Sequence, residues 1–343
     1  DQVITKAHHY LDALQSDQNI AGTRLYDRLQ AAMPSNPTEL IEQLVNTKLP
    51  QIFAESKVYG DGSDWNQTEL SILGLISFAV PVLVFDDATH AFPSIHKTPF
   101  PATLLFVPGV LLRNGRGQKP LDWHVVDRTK QINYATYLAL YELKLLPVFK
   151  WVNADARKSN TNAVVTVPGL GAGQFAGPFR GQIGALFAQV LKDLIERHAA
   201  TLPNVEVIYY DPYDECENRR QEIGGVSFRI RPYTQRSGKA QLCEITDYEE
   251  EGDDLRNLKL YSIVAWDHVS WPGNDFYGGT RATDDGVKAA ATDLMCRMTQ
   301  IQGTYNSTNY SYEPPLPFRN WEEVVISKNL ELYAKENLIV SSG

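Results

Sequence analysis

Val165-Thr166-Val167-Pro168-Gly169-Leu170-Gly171-Ala172-Gly173-Gln174-Phe175-Ala176-Gly177 is the stretch on which the fold turns. A short β-branched run, Ala163 to Val167, enters a glycine-rich turn, and a helical pattern leaves it. Ile183, Leu186, Phe187, Val190, Leu191 and Leu194 recur at helical spacing within residues 179–198. Strand, glycine turn and helix in that order form half of a βαβ unit. Glycines at such a turn let backbone N–H groups approach an anion closely, and the helix that follows adds its positive end. The residues Gly169, Gly171, Ala172, Gly173, Gln174, Phe175, Ala176 and Gly177 therefore read as a diphosphate cradle, with a tight structural turn as the plainer alternative. No Gly-Lys-Ser/Thr follows, so this is not a P-loop. No acidic residue is expected at the end of the next strand, so the dinucleotide-binding fingerprint is incomplete too.

Outward from this loop, apolar strands are expected at 82–85, 103–107, 205–209 and 258–265, and a helix at 127–146. Continuous apolar strands alternating with amphipathic helices predict an α/β fold, with a parallel or mixed sheet covered by helices on both faces. Val226 to Arg231 alternates like a half-exposed strand, and the acidic run 247–254 reads as a solvated loop. Asn320 and Glu323 are placed as a cap pair for a C-terminal helix. Residues 1–56 read as an N-terminal helical extension, with Asn36-Pro37-Thr38-Glu39 as a helix start. Residues 57–343 form the remaining domain. The uncharged run Leu70 to Phe85 is shorter than the ~20 residues a membrane helix needs and contains Pro81.

The 343 residues carry 41 acidic and 32 basic side chains, a net charge of −9 that disfavours nucleic acid as a partner. The three cysteines, Cys216, Cys243 and Cys296, form neither a disulfide framework nor a zinc spacing and fit a reducing compartment. The chain opens on Asp1 rather than Met and is read as trimmed, so missing ends could carry targeting signals.

A second motif runs from Trp266 to Lys288, where a buried strand ends. It contains Asp267, Asp275, Asp284 and Asp285 among Gly, Asn, Trp and Tyr. Cleaving a glycosidic C–N bond calls for such carboxylates, to activate water, support the oxocarbenium-like transition state and hold ribose hydroxyls. Asp284 reads as a bystander whose carboxylate faces solvent at a helix cap. His268 is the one histidine in a plausible site, and Phe175, Trp271 and Tyr277 are candidate stacking partners or core residues.

The stretch Gly273-Asn274-Asp275-Phe276-Tyr277-Gly278-Gly279-Thr280-Arg281-Ala282-Thr283-Asp284-Asp285-Gly286-Val287-Lys288 resembles the divergent macrodomain-like ADP-ribosylhydrolases found among bacterial effectors. The glycine loop resembles a macrodomain diphosphate loop. The shared pattern covers roughly residues 100–320, without the N-terminal helices. This resemblance implies a macrodomain-like fold, ADP-ribose as ligand, and removal of ADP-ribose from a modified protein side chain, an arginine of ubiquitin. It places catalysis on Asp267, Asp275 and Asp285, puts the diphosphate on Gly171 to Gly177 and assigns Asn274 to the ligand site. It also implies a secreted bacterial effector acting in host cytoplasm. No cofactor is expected; magnesium held by Asp284 and Asp285 is the disfavoured alternative. One departure matters: Val107 to Gly115 stands where hydrolytic macrodomains carry an Asn-Ala-Ala-Asn-type loop.

Two rivals stand beside the hydrolase. One is a non-catalytic ADP-ribose reader, which needs the glycine loop but not three carboxylates. The other is a metal-dependent phosphoesterase, which EDTA would inhibit. Residues 1–56 are also a candidate surface for a host ubiquitin-pathway protein, with plain packing as the alternative.

Overall fold

Continuous runs of Val, Ile, Leu, Phe and Tyr form the centre of an eight-stranded sheet. The computed structural model describes residues 2–16, 20–235, 238–333 and 338–339. The strands are β1 (Ser77–Asp86), β2 (Ile95–Pro108), β3 (Ala163–Val167), β4 (Val205–Tyr210), β5 (Arg219–Ile223), β6 (Val226–Ile230) and β7 (Lys259–Trp266). A small hairpin, β8 (Thr304–Asn306) with β9 (Ser311–Glu313), and the short β10 (Leu338–Ile339) complete the set. The large sheet has the order β10-β1-β2-β7-β3-β4-β6-β5. Neighbours from β2 through β7, β3 and β4 to β6 run parallel, while β1 and β5 are antiparallel to theirs. The mixed α/β architecture expected from the sequence is present.

The helices are α1 (Gln2–Gln15), α2 (Thr23–Leu29), α3 (Pro37–Asn46), α4 (Ala54–Lys57), α5 (Gln67–Leu73), α6 (Tyr134–Lys158), α7 (Ile183–His198), α8 (Asp284–Ala290), α9 (Leu294–Thr299) and α10 (Trp321–Lys328). On one sheet face, Tyr141 of α6, Phe187 of α7 and Tyr210 of β4 form a chain of ring contacts. On the other, residues 240–248 lie over the sheet. The Thr166 hydroxyl donates to the Gln241 carbonyl, and Tyr248 packs on Tyr209.

Several local expectations are corrected. The helix expected at 127–146 begins at Tyr134, because the Asp127 carboxylate turns the chain by accepting from Thr129 N and Gln131 N, and Asn133 then caps α6. The helix runs on through Pro147. The proline forfeits one backbone bond, but Val148, Phe149, Val152 and Ala156 continue the buried face. α7 starts four residues later than Phe179, after a 3₁₀ turn over Gln174–Phe179.

β6 is buried along its whole length rather than half exposed. Its alternating arginine, Arg229, is 1% exposed and pairs with Asp253 at 2.8 Å and the Tyr248 carbonyl at 2.8 Å. The acidic run is accordingly more than a solvated loop. Glu250 and Asp253 clamp Arg231, Arg229 and Arg220, because a buried guanidinium needs a carboxylate partner.

Among the described residues of this segment, α1, α2 and α3 are helical and α4 begins at Ala54, and Asn36 caps α3 as expected. Val3, Ala7, Tyr10, Leu40, Ile41, Leu44 and Val45 are buried in the same continuous apolar core as the sheet. The carboxylate of Glu69 on α5 accepts from Tyr10 Oη and Gly22 N, both at 2.8 Å, and binds these helices together.

Candidate functional site

Parallel strands place their C-terminal ends on one edge, where α/β folds bind ligands. The loops leaving β2, β7, β3 and β4 therefore emerge side by side. Those after β2 and β3 touch backbone to backbone: a Cβ on Gly109 would lie 2.9 Å from Gly171 N. Leu112 N donates to the Phe175 carbonyl at 2.8 Å, and Tyr141 Oη donates to the Leu170 carbonyl at 3.0 Å while accepting from Val110 N. One buried tyrosine of α6 thus ties both loops to the sheet.

Between them opens a groove of about 480 Å³. Gly173, Gln174 and Gly177 line it from one side, and Leu112, Arg113 and Asn114 from the other, with Arg180 and Trp123 at its margin. Gly169, Gly171, Ala172, Phe175 and Ala176 shape the turn from behind. The Arg113 guanidinium donates to Gln174 Oε1. Two guanidiniums beside an exposed glycine backbone suit a diphosphate, whose oxygens accept paired N–H bonds. Gly177 has φ +53, and a Cβ there would meet the Leu112 carbonyl at 2.6 Å. Gly177→Ala is expected to weaken ADP-ribose binding at least about tenfold by pushing the two loops apart, read by calorimetric titration.

The loop after β7 carries the aspartates, and the structure separates residues that the sequence treats alike. Asp267 follows the central strand directly and is 6% exposed. Its Oδ1 accepts from Val269 N at 2.9 Å and its Oδ2 from Ala54 N. Burial outweighs these bonds and pushes its carboxyl up to about 7. Asp275 is enclosed, accepting from Ala282 N at 2.8 Å, Thr283 N at 3.1 Å and the Thr283 hydroxyl at 2.6 Å. Asp285 is also enclosed, accepting from Gly273 N and Asn274 N at 2.8 and 2.9 Å. Burial, then the neighbouring Asp275, holds the Asp285 carboxyl well above the usual range. Asp275 and Asp285 meet where α8 begins: a Cβ on Gly286 would fall 2.1 Å from Asp275 Oδ1.

Asp284 does not face solvent as the sequence suggests. It accepts from Ala265 N at 2.8 Å and from the buried Lys288 ammonium at 3.0 Å, tying α8 to β7. His268 is buried, with neither ring nitrogen bonded among the described residues. Burial, Lys48 and Lys144 hold it neutral. Trp271 and Tyr277 pack edge to face in the interior, and Asn274 Oδ1 is occupied by Ile52 N. Among the described residues, no three His, Cys, Asp or Glu side chains converge as metal ligands.

Sequence reasoning misses Arg113 and Arg180, which only the tertiary approach of two loops brings into the groove. It also misses Lys48 and Ile52 to Glu55, assigned to the helical extension although they lie on the aspartate loop. A lysine amid the apolar residues Val45, Leu49 and Ile52 was the available signal. An acidic residue does stand after the next strand: β4 runs one residue beyond the expected end, and Asp211 comes next, accepting from Tyr213 N and Tyr233 N.

The match that decides the family spans nearly the whole chain: the model described as Macrodomain effector MavL covers residues 1–318. The chain belongs to the MavL macrodomain effector family. The MavL match includes the N-terminal helices, which the sequence resemblance left out, in keeping with their place in the common core. MavL membership carries an ADP-ribose-related macrodomain function and the standing of a bacterial effector. No curated protein matches the chain. The three cysteines are free thiols, which by themselves assign no compartment. No helix of the described residues is long and apolar enough to cross a membrane.

Proposed function

We propose that the chain hydrolyses the bond between ADP-ribose and a modified protein side chain, with arginine of ubiquitin the first acceptor to test. The observation that carries this reading is Asp267. It is a carboxylate that directly follows the central strand, whose neighbours β2 and β3 lead into the two groove loops, and burial moves its titration to about 7. A general base is most effective when its pKa lies near the working pH.

In this mechanism the diphosphate lies on Gly173 to Gly177, flanked by Arg113 and Arg180, and the distal ribose extends toward Asp267. Asp267 takes a proton from water as the water oxygen bonds to the anomeric carbon. The C–N bond breaks, its electron pair leaves with the guanidine nitrogen, and that nitrogen acquires the proton from Asp267. Free ADP-ribose and unmodified arginine result. Asp275 and Asp285 hold the loop's N–H groups in place and so fix the frame in which Asp267 is presented.

The reading is tested by incubating the protein with arginine-ADP-ribosylated ubiquitin, with and without EDTA, and measuring free ADP-ribose. Release undiminished by EDTA is expected. Tight ADP-ribose binding without release from any acceptor would make the protein a reader. The oxygens of Asp275 and Asp285 already accept backbone N–H groups and the Thr283 hydroxyl, which favours that second reading over a phosphoesterase. Release abolished by EDTA would instead bring a metal-dependent hydrolase forward.

A further inference from the structure

Residues Lys48 to Glu55 lie along the aspartate loop as a strap. Leu49 forms a parallel bridge with Ser270: its N–H donates to the Val269 carbonyl at 3.0 Å, and its carbonyl accepts from Trp271 N at 2.7 Å. The Lys48 carbonyl accepts from the Trp271 indole at 3.1 Å. The Lys48 ammonium donates to the His268 carbonyl and sits 4.4 Å from the centre of the Trp266 ring. Ile52 N binds Asn274 Oδ1 at 2.8 Å, and Ala54 N binds Asp267 Oδ2. At its far end the Glu55 carbonyl accepts from Gly115 N at 2.8 Å. The strap thus connects the aspartate loop to the loop that forms one wall of the groove.

We propose that this strap is a working part of the site, with Lys48 the positioning residue whose ammonium, held on the His268 carbonyl, sets a cation one residue from Asp267, and the Ala54 N–H fixing the carboxylate's orientation. The inference rests on the hydrolase reading above. A lysine 3% exposed is costly to bury, and a methionine would fill the same space against Trp266 without that cost. Packing alone therefore does not call for the charge. Its location does. Of the charged groups that bear on Asp267, Glu55 opposes its ionisation and Lys48 favours it, while neighbouring His268 stays neutral under burial and the two lysines Lys48 and Lys144. Burial pushes the Glu55 carboxyl itself above its ordinary range, against a smaller opposing pull from Arg113. Each Asp267 oxygen accepts one backbone N–H, which leaves a lone pair on each for water or a ribose hydroxyl.

Burial draws the Lys48 ammonium itself down to about 7, so its charge bears on Asp267 mainly at and below that pH; without it the ionised carboxylate loses a stabilising charge and its pKa rises. Lys48→Met is expected to bind ADP-ribose within about threefold of wild type and to keep KM, while kcat at pH 7 falls about tenfold. The acid limb of its pH profile should move up by about one pH unit, so the loss shrinks toward pH 9. A folded Lys48→Met protein with wild-type kcat and an unmoved acid limb overturns the proposal.

Ala54→Pro is the second variant. Ala54 is the first residue of α4, and Phe53 is extended, so the proline backbone fits. The ring carbon replaces the N–H at Asp267 Oδ2 and displaces the carboxylate. A loss of about 100-fold in kcat at unchanged ADP-ribose affinity supports the strap's role, and unchanged kcat refutes it, even where Lys48→Met does not fold. If the wild-type protein cleaves no ADP-ribosylated substrate, the hydrolase reading fails on its own account. Titration of the ¹³C-labelled Asp267 carboxyl in wild type and Lys48→Met then decides: a raised midpoint in the variant supports the coupling, and coincident curves overturn it.

Discussion

Asp267→Asn is expected to lower kcat for release of ADP-ribose by at least about 100-fold while leaving the affinity for ADP-ribose within about threefold, because general-base groups contribute on that scale. The amide matches the carboxylate in size and keeps one acceptor for the backbone N–H groups of Ala54 and Val269, but it cannot take a proton from water. Binding survives because the groove residues Gly173, Gln174, Gly177 and Arg113 belong to other loops. Single-turnover kinetics and calorimetric titration separate the two quantities. In wild type, kcat should fall about tenfold for each pH unit below about 7, where burial has moved the Asp267 titration. A variant that still cleaves at the wild-type rate would remove Asp267 from the mechanism.

The same residue gives a stability signature with a definite sign. Its folded pKa lies above the ordinary carboxylate value, so between about pH 4 and 7 the folded chain holds the proton more tightly than the unfolded chain. This group's contribution therefore becomes less favourable as pH rises through that window. Asp267→Asn lacks the effect, and the Tm difference between variant and wild type should shift in the variant's favour from pH 4 to pH 7.

Asp275→Ala is expected to behave differently: loss of activity accompanied by a fall in Tm of roughly 5 °C, corresponding to ~3 kcal/mol. Asp275 is 1% exposed and spends its oxygens on Ala282 N, Thr283 N and the Thr283 hydroxyl. Removing it leaves two N–H donors without their acceptor and undoes the arrangement by which Thr283 caps α8 through Gly286 N. Asp275→Asn keeps one acceptor and should recover part of the Tm. Thermal melts on the three proteins check the order wild type, Asn, Ala. If alanine leaves Tm unchanged and abolishes only kcat, Asp275 acts on substrate directly.

The central sheet was legible because its signals are local. Ala163 to Val167 is β-branched and uninterrupted, the following helix has a clean apolar stripe, and Asn36 and Asn320 announce their helices through capping. The aspartate loop stood out as a candidate site because it follows a buried strand and is unusually rich in carboxylates. Its internal division of labour was not legible. Whether an aspartate faces a substrate or a backbone N–H depends on where residues ten or more positions away come to rest, and no local pattern encodes that. β6 was misjudged for a related reason: Arg229 reads as a solvent-facing residue until Asp253 arrives from another segment. The strap was hidden because Ile52 and Ala54 contribute main-chain N–H groups, which every residue but proline possesses.

The strap also sets an order of events as the chain acquires its structure. Its bonds to His268, Asn274 and Asp267 join residues 220, 222 and 213 positions apart. Contacts of such separation form after the intervening strands have closed the long loops between them. The first fifty-odd residues of the polypeptide must therefore wait for residues beyond 266 before Asp267 is seated. A chain interrupted between residues 177 and 266 contains the glycine loop but not the proposed base. Under the proposed mechanism, a competent cleavage site is therefore among the last features this polypeptide gains as it folds.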